Sequence, residues 1–297
     1  MSDATFSESH ADDIPLEATP AIDHVKRALY IILGFAIAAI FIMPIVWSVA
    51  NSFKLPAETL SDPVRLIPRN VSLDNYRNLD TVGDGLWSFV RNSLFLAVGT
   101  VVVTLLIAVP AGYGFSKFRF PGQNVIFVVI LATMMIPFQS ILTPLFLILV
   151  KLRLANSLTG LVLIYVTFQL PFSIFMMRNA FDAVPKALIE SARIDGASQW
   201  ALMRRITLPL ALPGVATVAM FAFLNSWNEF LAALIFLSQE EKFSLPVMLV
   251  NVTTGIRGMI DWGALQAGIT ITMVPCILLF LTLQRYYVRG LVAGAVK

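Results

Sequence analysis

Charge is scarce in this chain. Of its 297 residues only 13% are Asp, Glu, Lys or Arg, about half the charged fraction of an average soluble domain. Apolar residues make up 58%, so the composition is that of an integral membrane protein. Cysteine is nearly absent: the single Cys276 lies within the last apolar run. That excludes a disulfide framework, a CxxC pair and a thiolate metal site, and leaves an inert packing residue. The only histidines, His10 and His24, lie in the N-terminal tail. No paired carboxylates, no metal-ligand spacing and no nucleophile beside a base occur, so nothing supports a membrane enzyme or a bound metal. The glycines of GLVAGAVK lack the GK[ST] ending that cradles phosphates and magnesium, so the chain has no P-loop and no cofactor site of its own. The net charge of +3 does not imply nucleic acid, because the basic residues sit at the ends of apolar runs, where they act as topology signals.

What is present is a series of such runs. Residues 1–25 hold six acidic side chains and no Lys or Arg, without the apolar periodicity needed to bury a face, and are expected to form a disordered cytoplasmic tail. Residues 26–297 form the membrane domain. Lys26 and Arg27 precede an apolar run from Ala28 to about Ala50, long enough to be a first membrane helix rather than a cleaved signal. From Asn51 to about Arg91 the chain is polar, with Pro56, Pro63, Pro68 and SLDNY, and predicts a small extramembranous lobe. A second run covers Ser93 to about Phe115. The third begins near Val125 and contains MMIPFQS, where Pro137 removes a backbone donor and Gln139 places an amide at membrane depth; such a break is tolerated only against protein or a water-filled path. The fourth covers Leu158 to about Met177, interrupted by Gln169 and Pro171. The fifth runs from about Leu212 to Leu237, and the sixth from about Gly263 to Leu283. FSLPVMLVNV, between the last two, is too short to span.

Six spans with both termini inside place twelve basic residues on the cytoplasmic side and four, Lys151, Arg153, Lys242 and Arg257, on the two short outer loops. The other five lie in the long first outer segment, which such counts discount.

The polar interruption at about 180–210 stands out. Pro185 precedes KALIESARI, a run of good helix formers with Leu188 and Ala192 on one face and Ile189 flanking it. Asp195 and Gly196 break that helix, since glycine takes the left-handed conformation cheaply. Ser198 then caps a second helix through Trp200, predicted to end at Leu208 and Pro209. Small residues at the elbow, Ser191, Ala192 and Ala197, allow close approach of a partner. On geometry alone the segment could equally be an amphipathic connector on the lipid headgroups.

The spacing of Glu190, Ser191, Ala192, Gly196, Ile206, Leu208 and Pro209 resembles the EAA motif of bacterial ABC importer permeases, with Ser191 in place of the usual first alanine. SLDNY (Ser72 to Tyr76), SWNEF (Ser226 to Phe230) and RYYVRGLVAGAVK (Arg285 to Lys297) resemble the carbohydrate-uptake branch, similar to the second permease subunit of the maltose importer. The resemblance covers nearly everything after residue 27. It implies an all-α membrane protein of six transmembrane helices: a five-helix permease core (MetI-like) and one peripheral N-terminal helix, in the bacterial inner membrane. It also implies a coupling helix, carried by Glu190, Ser191, Ala192, Asp195, Gly196 and Ala197, that docks on a cytoplasmic ATPase. The implied partners are two ATPase subunits, which supply the ATP and Mg chemistry, a second permease in a heterodimer, an extracytoplasmic solute-binding protein and membrane lipid.

Glu229 is the one acidic residue inside an apolar run, and intramembrane carboxylates are costly enough to suggest function. With Asn225, Trp227, Asn228 and Gln139 it is a candidate to line a sugar path; the competing reading is a hydrogen bond to a neighbouring helix. Gln169 faces the same choice, with helix packing favoured. An ion-coupled secondary transporter of a small polar solute is the alternative function, but it would need more buried ionisable groups than Glu229.

Overall fold

The computed structural model describes residues 21–254 and 260–295. The chain divides into two compact units, residues 1–46 and 47–297. The first is the greater part of helix α1 (Ala21–Ser52), whose apolar side chains, such as Ile32, Phe35 and Phe41, are exposed as a lipid-facing helix requires. Helix α1 begins at Ala21, so the last five residues of the expected tail are helical; residues 1–20 lie outside the described residues.

In the second unit, the extramembranous segment carries α2 (Pro56–Ser61) and α3 (Asp74–Asp80). The SLDNY run has a structural task here. Asn75 is fully buried and its amide donates to the carbonyls of Asn51, Ser52 and Lys54 at 3.4, 3.1 and 2.8 Å. It thereby ties together the carbonyls at and just past the end of α1, where intrahelical partners run out. Tyr76 adds a hydroxyl contact to Ser52 at 2.9 Å. Lys54, also buried, donates to Asn51 Oδ1 and to the Asp62 carbonyl, each at 2.8 Å; burial pushes its ammonium below the usual lysine range.

Helix α4 (Leu86–Lys117) follows. Its 32 residues rise about 48 Å, more than the hydrocarbon core needs. The third apolar run is split into α5 (Gln123–Ala132) and α6 (Leu142–Lys151), with 3-10 turns at Thr133–Met135 and Phe138–Ile141. The two halves are bent by 96° about Pro137. The break is supported by protein, since Phe138 meets Phe168 edge-on at 4.5 Å.

Helix α7 (Leu158–Asp182) is capped by the Ser157 hydroxyl, which accepts from Gly160 N at 3.0 Å. It packs along α4 more extensively than any other pair of elements. Gly112 makes this possible: a Cβ there would stand 2.5 Å from Met177 Cβ.

The polar interruption forms α8 (Lys186–Ile194), then α9 (Gln199–Ala201), a π-helical stretch (Leu202–Thr207) and α10 (Leu208–Leu210). Last come α11 (Leu212–Trp227), α12 (Leu231–Phe236), α13 (Leu245–Thr254) and α14 (Trp262–Ala295).

Among the described residues, four helices are long and apolar enough to cross a membrane, and counting each of two bent pairs as one span brings the number to six. The expected fifth span needs correction. Its continuous helix stops at Trp227 after 16 residues, about 24 Å and short of a ~30 Å core. The chain opens at Asn228–Phe230 before α12 resumes, so the fifth apolar run is helical in two pieces; ahead of it, the elbow helix Gln199–Leu210 meets α11 at a bend of 76°. The run expected to be too short to span is α13, a helix with Leu245, Val247 and Met248 fully buried.

Candidate functional site

Helix α8 ends in a hydrogen-bonded glycine turn. Ala197 N donates to the Ala192 carbonyl and Gly196 N to the Arg193 carbonyl, both at 3.0 Å. Gly196 has φ +81°. This 6→1 and 5→2 pair is the Schellman motif, with glycine at its left-handed position. Ser198 then caps the next helix, its hydroxyl accepting from Ala201 N at 3.3 Å. That helix runs one residue past the expected end, through Pro209 to Leu210. Thr207, buried, returns its hydroxyl to the carbonyls of Leu202 and Met203 at 3.3 and 3.2 Å.

The elbow has its own small core of Val184, Ile189 and Leu202, with Ala192, Ala197 and Ile206 packed on it. The expected helix face is therefore rotated: Ile189 is the buried anchor and Leu188 is 47% exposed, because Ile189 and Ala192, three residues apart, share the inward side. Outside lie Glu190, Ser191, Asp195 and Gly196, all exposed, beside two large apolar side chains, Ile194 at 86% and Trp200 at 65% exposure. Tyr113 of α4 reaches the second helix, donating to the Gln199 side chain at 3.3 Å.

A second site is a cavity of about 200 Å³ lined by Thr100 of α4, Phe138 at the Pro137 break, Tyr165, Phe168 and Gln169 of α7, Ala222, Asn225 and Ser226 of α11, and Glu229. Tyr165 Oη donates to Glu229 Oε2 at 2.7 Å. Glu229 also accepts the Ala232 and Ala233 amides at 2.8 and 3.1 Å. The carboxylate thus caps α12 and ties the break in the fifth apolar run to α7, while still facing the cavity. Asn225 Nδ2 donates to Gln169 Oε1 at 2.9 Å, and Gln169 Nε2 to Ser173 at 3.2 Å.

Of the sequence-predicted path residues, the cavity gathers Asn225 and Glu229. Trp227 is not among them. It is 1% exposed, donates to the Thr272 carbonyl at 3.1 Å and stacks on Phe223, because an indole so enclosed between α11 and α14 satisfies both its surface and its N–H by packing. Asn228 is exposed but turns back to the Leu224 carbonyl at 2.8 Å, and Gln139 is exposed while its neighbour Phe138 enters the cavity. Thr100, Tyr165 and Phe168 were not singled out in advance, since a hydroxyl or ring within an apolar run gives no signal of its own.

Residues 104–292 match the family model described as the binding-protein-dependent transport system inner membrane component. The chain belongs to this family. It is a permease subunit of an ABC importer, and membership sets aside the ion-coupled alternative. The permease is 35% identical over 268 residues to the arabinooligosaccharides transport system permease protein AraQ of Halalkalibacterium halodurans, covering 89% of this chain and 95% of that one. It is 33% identical over 273 residues to the trehalose transport system permease protein SugB of Mycobacterium tuberculosis, covering 92% and 98%. Among solved structures, a bacterial ABC transporter involved in import of the acidic polysaccharide alginate matches with TM-score 0.76 at 25% identity, covering 91% of this permease and 99% of that chain. The five-helix permease core preceded by one further helix is therefore the fold.

Proposed function

We propose that this permease, with a second permease subunit in a heterodimer, forms the path by which a carbohydrate or related polyol crosses the bacterial inner membrane after delivery by an extracytoplasmic binding protein. Permeases named for arabinooligosaccharides and trehalose support the substrate class. Both termini of the 26–297 membrane domain face the cytoplasm, consistent with the distribution of basic residues. The elbow of Glu190, Ser191, Ala192, Asp195, Gly196 and Ala197 docks on one of two cytoplasmic ATPase subunits, which bind and hydrolyse ATP with Mg. Glu190 supplies a polar contact to that subunit.

The observation that carries the coupling role is the hydrogen-bonded glycine elbow, on which Ile194 and Trp200 stand exposed. Apolar side chains held out on a folded loop mark a protein-binding surface. Along the path, Asn225 and Glu229 offer amide and carboxylate groups to sugar hydroxyls beside aromatic walls.

The test is reconstitution. The permease should co-purify with its ATPase and second permease, and sugar uptake into proteoliposomes should require ATP and the binding protein. Uptake by the isolated chain on an ion gradient would sink this reading.

A further inference from the structure

Another cavity, apart from the one that α4, α7 and α11 enclose, lies where two apolar spans have their ends. It holds about 300 Å³ and is walled by side chains of α1, α2 and α14, among them Trp47, Leu60, Pro63, Trp262 and Gln266. Trp47 lies near the end of the span Lys26–Ser52, and Trp262 opens the span Trp262–Gln284. Tryptophans in such places mark the membrane–water boundary, where the apolar ring and the polar N–H each find their medium.

Most polar groups in this wall are answered within the protein. Trp47 Nε1 donates to the Pro63 carbonyl at 2.9 Å, Asn51 Nδ2 to the Trp47 carbonyl at 2.8 Å and Thr59 to the Leu55 carbonyl at 3.2 Å. Asn51 Oδ1 accepts from Lys54 at 2.8 Å. Gln266 differs. It is 7% exposed and its Oε1 accepts from Ser48 at 2.7 Å, but its Nε2 donates to nothing among the described residues. That nitrogen is not among the sealed, unpaired atoms Asn75 Oδ1, Thr100 Oγ1, Thr104 Oγ1 and Ser244 Oγ. It keeps open surface, in a side chain that lines the cavity. The Trp262 indole N–H, one turn earlier on α14, also has no acceptor among the described residues. A buried amide donor costs free energy unless an acceptor is supplied.

The chemistry of the wall selects the class of occupant. No charged side chain among the described residues lines the cavity, so a phosphate or carboxylate would be buried there unpaired. A sugar carries nearly as many hydroxyls as carbons, and one amide and one indole would leave most of them unanswered against Leu60, Pro63 and two rings. A fatty ester fits: its chain lies on the apolar wall, and its uncharged carbonyl accepts without having to donate. At the lower limit of the ~300–1,000 Å³ range of ligand pockets, the cavity takes the start of one chain and not a whole lipid. Beyond Pro63 in the chain, Val64 and Ile67 stand 80% and 75% exposed, apolar surface that suits a segment lying against lipid.

We propose that this cavity is a phospholipid site at the membrane boundary, in which the start of one acyl chain lies against Trp47, Leu60, Pro63 and Trp262 and the Gln266 amide donates to its ester carbonyl. The site is independent of the solute carried and of the sugar path.

The complete transporter, with ATPases and partner permease, is stripped of lipid in detergent and titrated with a diacyl phosphatidylethanolamine and with the dialkyl ether of the same chain length and headgroup. Native mass spectrometry counts the lipid on this subunit after its release in the gas phase. One saturable lipid should bind, about three- to tenfold more tightly as the ester than as the ether, the worth of one hydrogen bond. Gln266→Met, close in size, should bind both with the affinity of the ether. Leu60→Trp, which fills the cavity, should abolish the site, and Val128→Trp, at an exposed position of α5, should keep it. Exchanging the headgroup for anionic phosphatidylglycerol should leave the affinity unchanged. Equal binding of ester and ether by the wild type, an ester preference that survives Gln266→Met, or a lipid retained by Leu60→Trp overturns the proposal. A lipid count unchanged in Leu60→Trp together with loss of the binding protein or the second permease would assign the cavity to a protein partner instead.

Discussion

Gly196 is the residue on which the elbow turns. Its φ of +81° lies where proline cannot go, and its N–H bonds the Arg193 carbonyl. Nothing stands within 4 Å of where a Cβ would be, so any penalty comes from the backbone and not from crowding. Gly196→Ala should therefore cost only about 1 kcal/mol and leave ATPase docking measurable. Gly196→Pro must rebuild the turn and should abolish co-purification of the ATPase while the spans still insert; intact assembly in that variant would count against the coupling role. Glu229 makes a different prediction. Its oxygens satisfy two backbone amides of α12 and one phenol, and a buried donor left unpaired costs about 1–3 kcal/mol. Glu229→Ala should lower the thermal stability of the detergent-solubilised protein, with Glu229→Gln falling between it and the wild type. Equal stability of all three would show that the carboxylate does not hold α12.

Elements in this protein are interrupted beside the cavity and at the elbow. Helix α4 is an unbroken 32 residues, whereas the third and fifth apolar runs open at Pro137 and Asn228–Phe230, and both breaks contribute a lining residue to the cavity. Between α8 and α11 the chain passes through a π-helical stretch and a 76° bend, and π segments recur at functional sites. The second helix of the elbow leads directly into α11, whose Asn225 and Ser226 line the cavity. Trp200→Asp combined with Ile194→Asp should reduce ATPase binding by at least about tenfold, because an interface core does not accept buried charge. Far-ultraviolet circular dichroism should be unchanged, since both side chains are exposed in the free chain. Retained ATPase binding in that double variant would remove the elbow from the interface.

At the scale of the whole molecule, the prediction concerns topology. In a Cys276→Ser background, a cysteine at Ser191 should react with an impermeant thiol reagent only from the cytoplasmic side, and one at Ser61 only from outside. The reverse pattern would invert the assignment of the elbow to the ATPase. A second reagent experiment uses the same variants: assembly with the ATPase should protect Ser191→Cys and leave Ser61→Cys reactive.

Much of this architecture was legible in advance. Runs of apolar residues about as long as a bilayer is thick mark spans, because backbone polar groups must be satisfied internally there. The elbow was legible because a helix, a glycine and a capping serine are local features whose physics needs no distant partner. The membrane class, the spans and the helix–turn–helix at 186–210 were thus determined by the sequence alone. Which side of α8 faces inward, where the fifth run breaks, and that Trp227 packs while Thr100 lines a cavity were decided only by the tertiary structure. Those outcomes depend on contacts between residues far apart in the chain, such as Tyr165 with Glu229 and Trp227 with Thr272, and no local spacing encodes them.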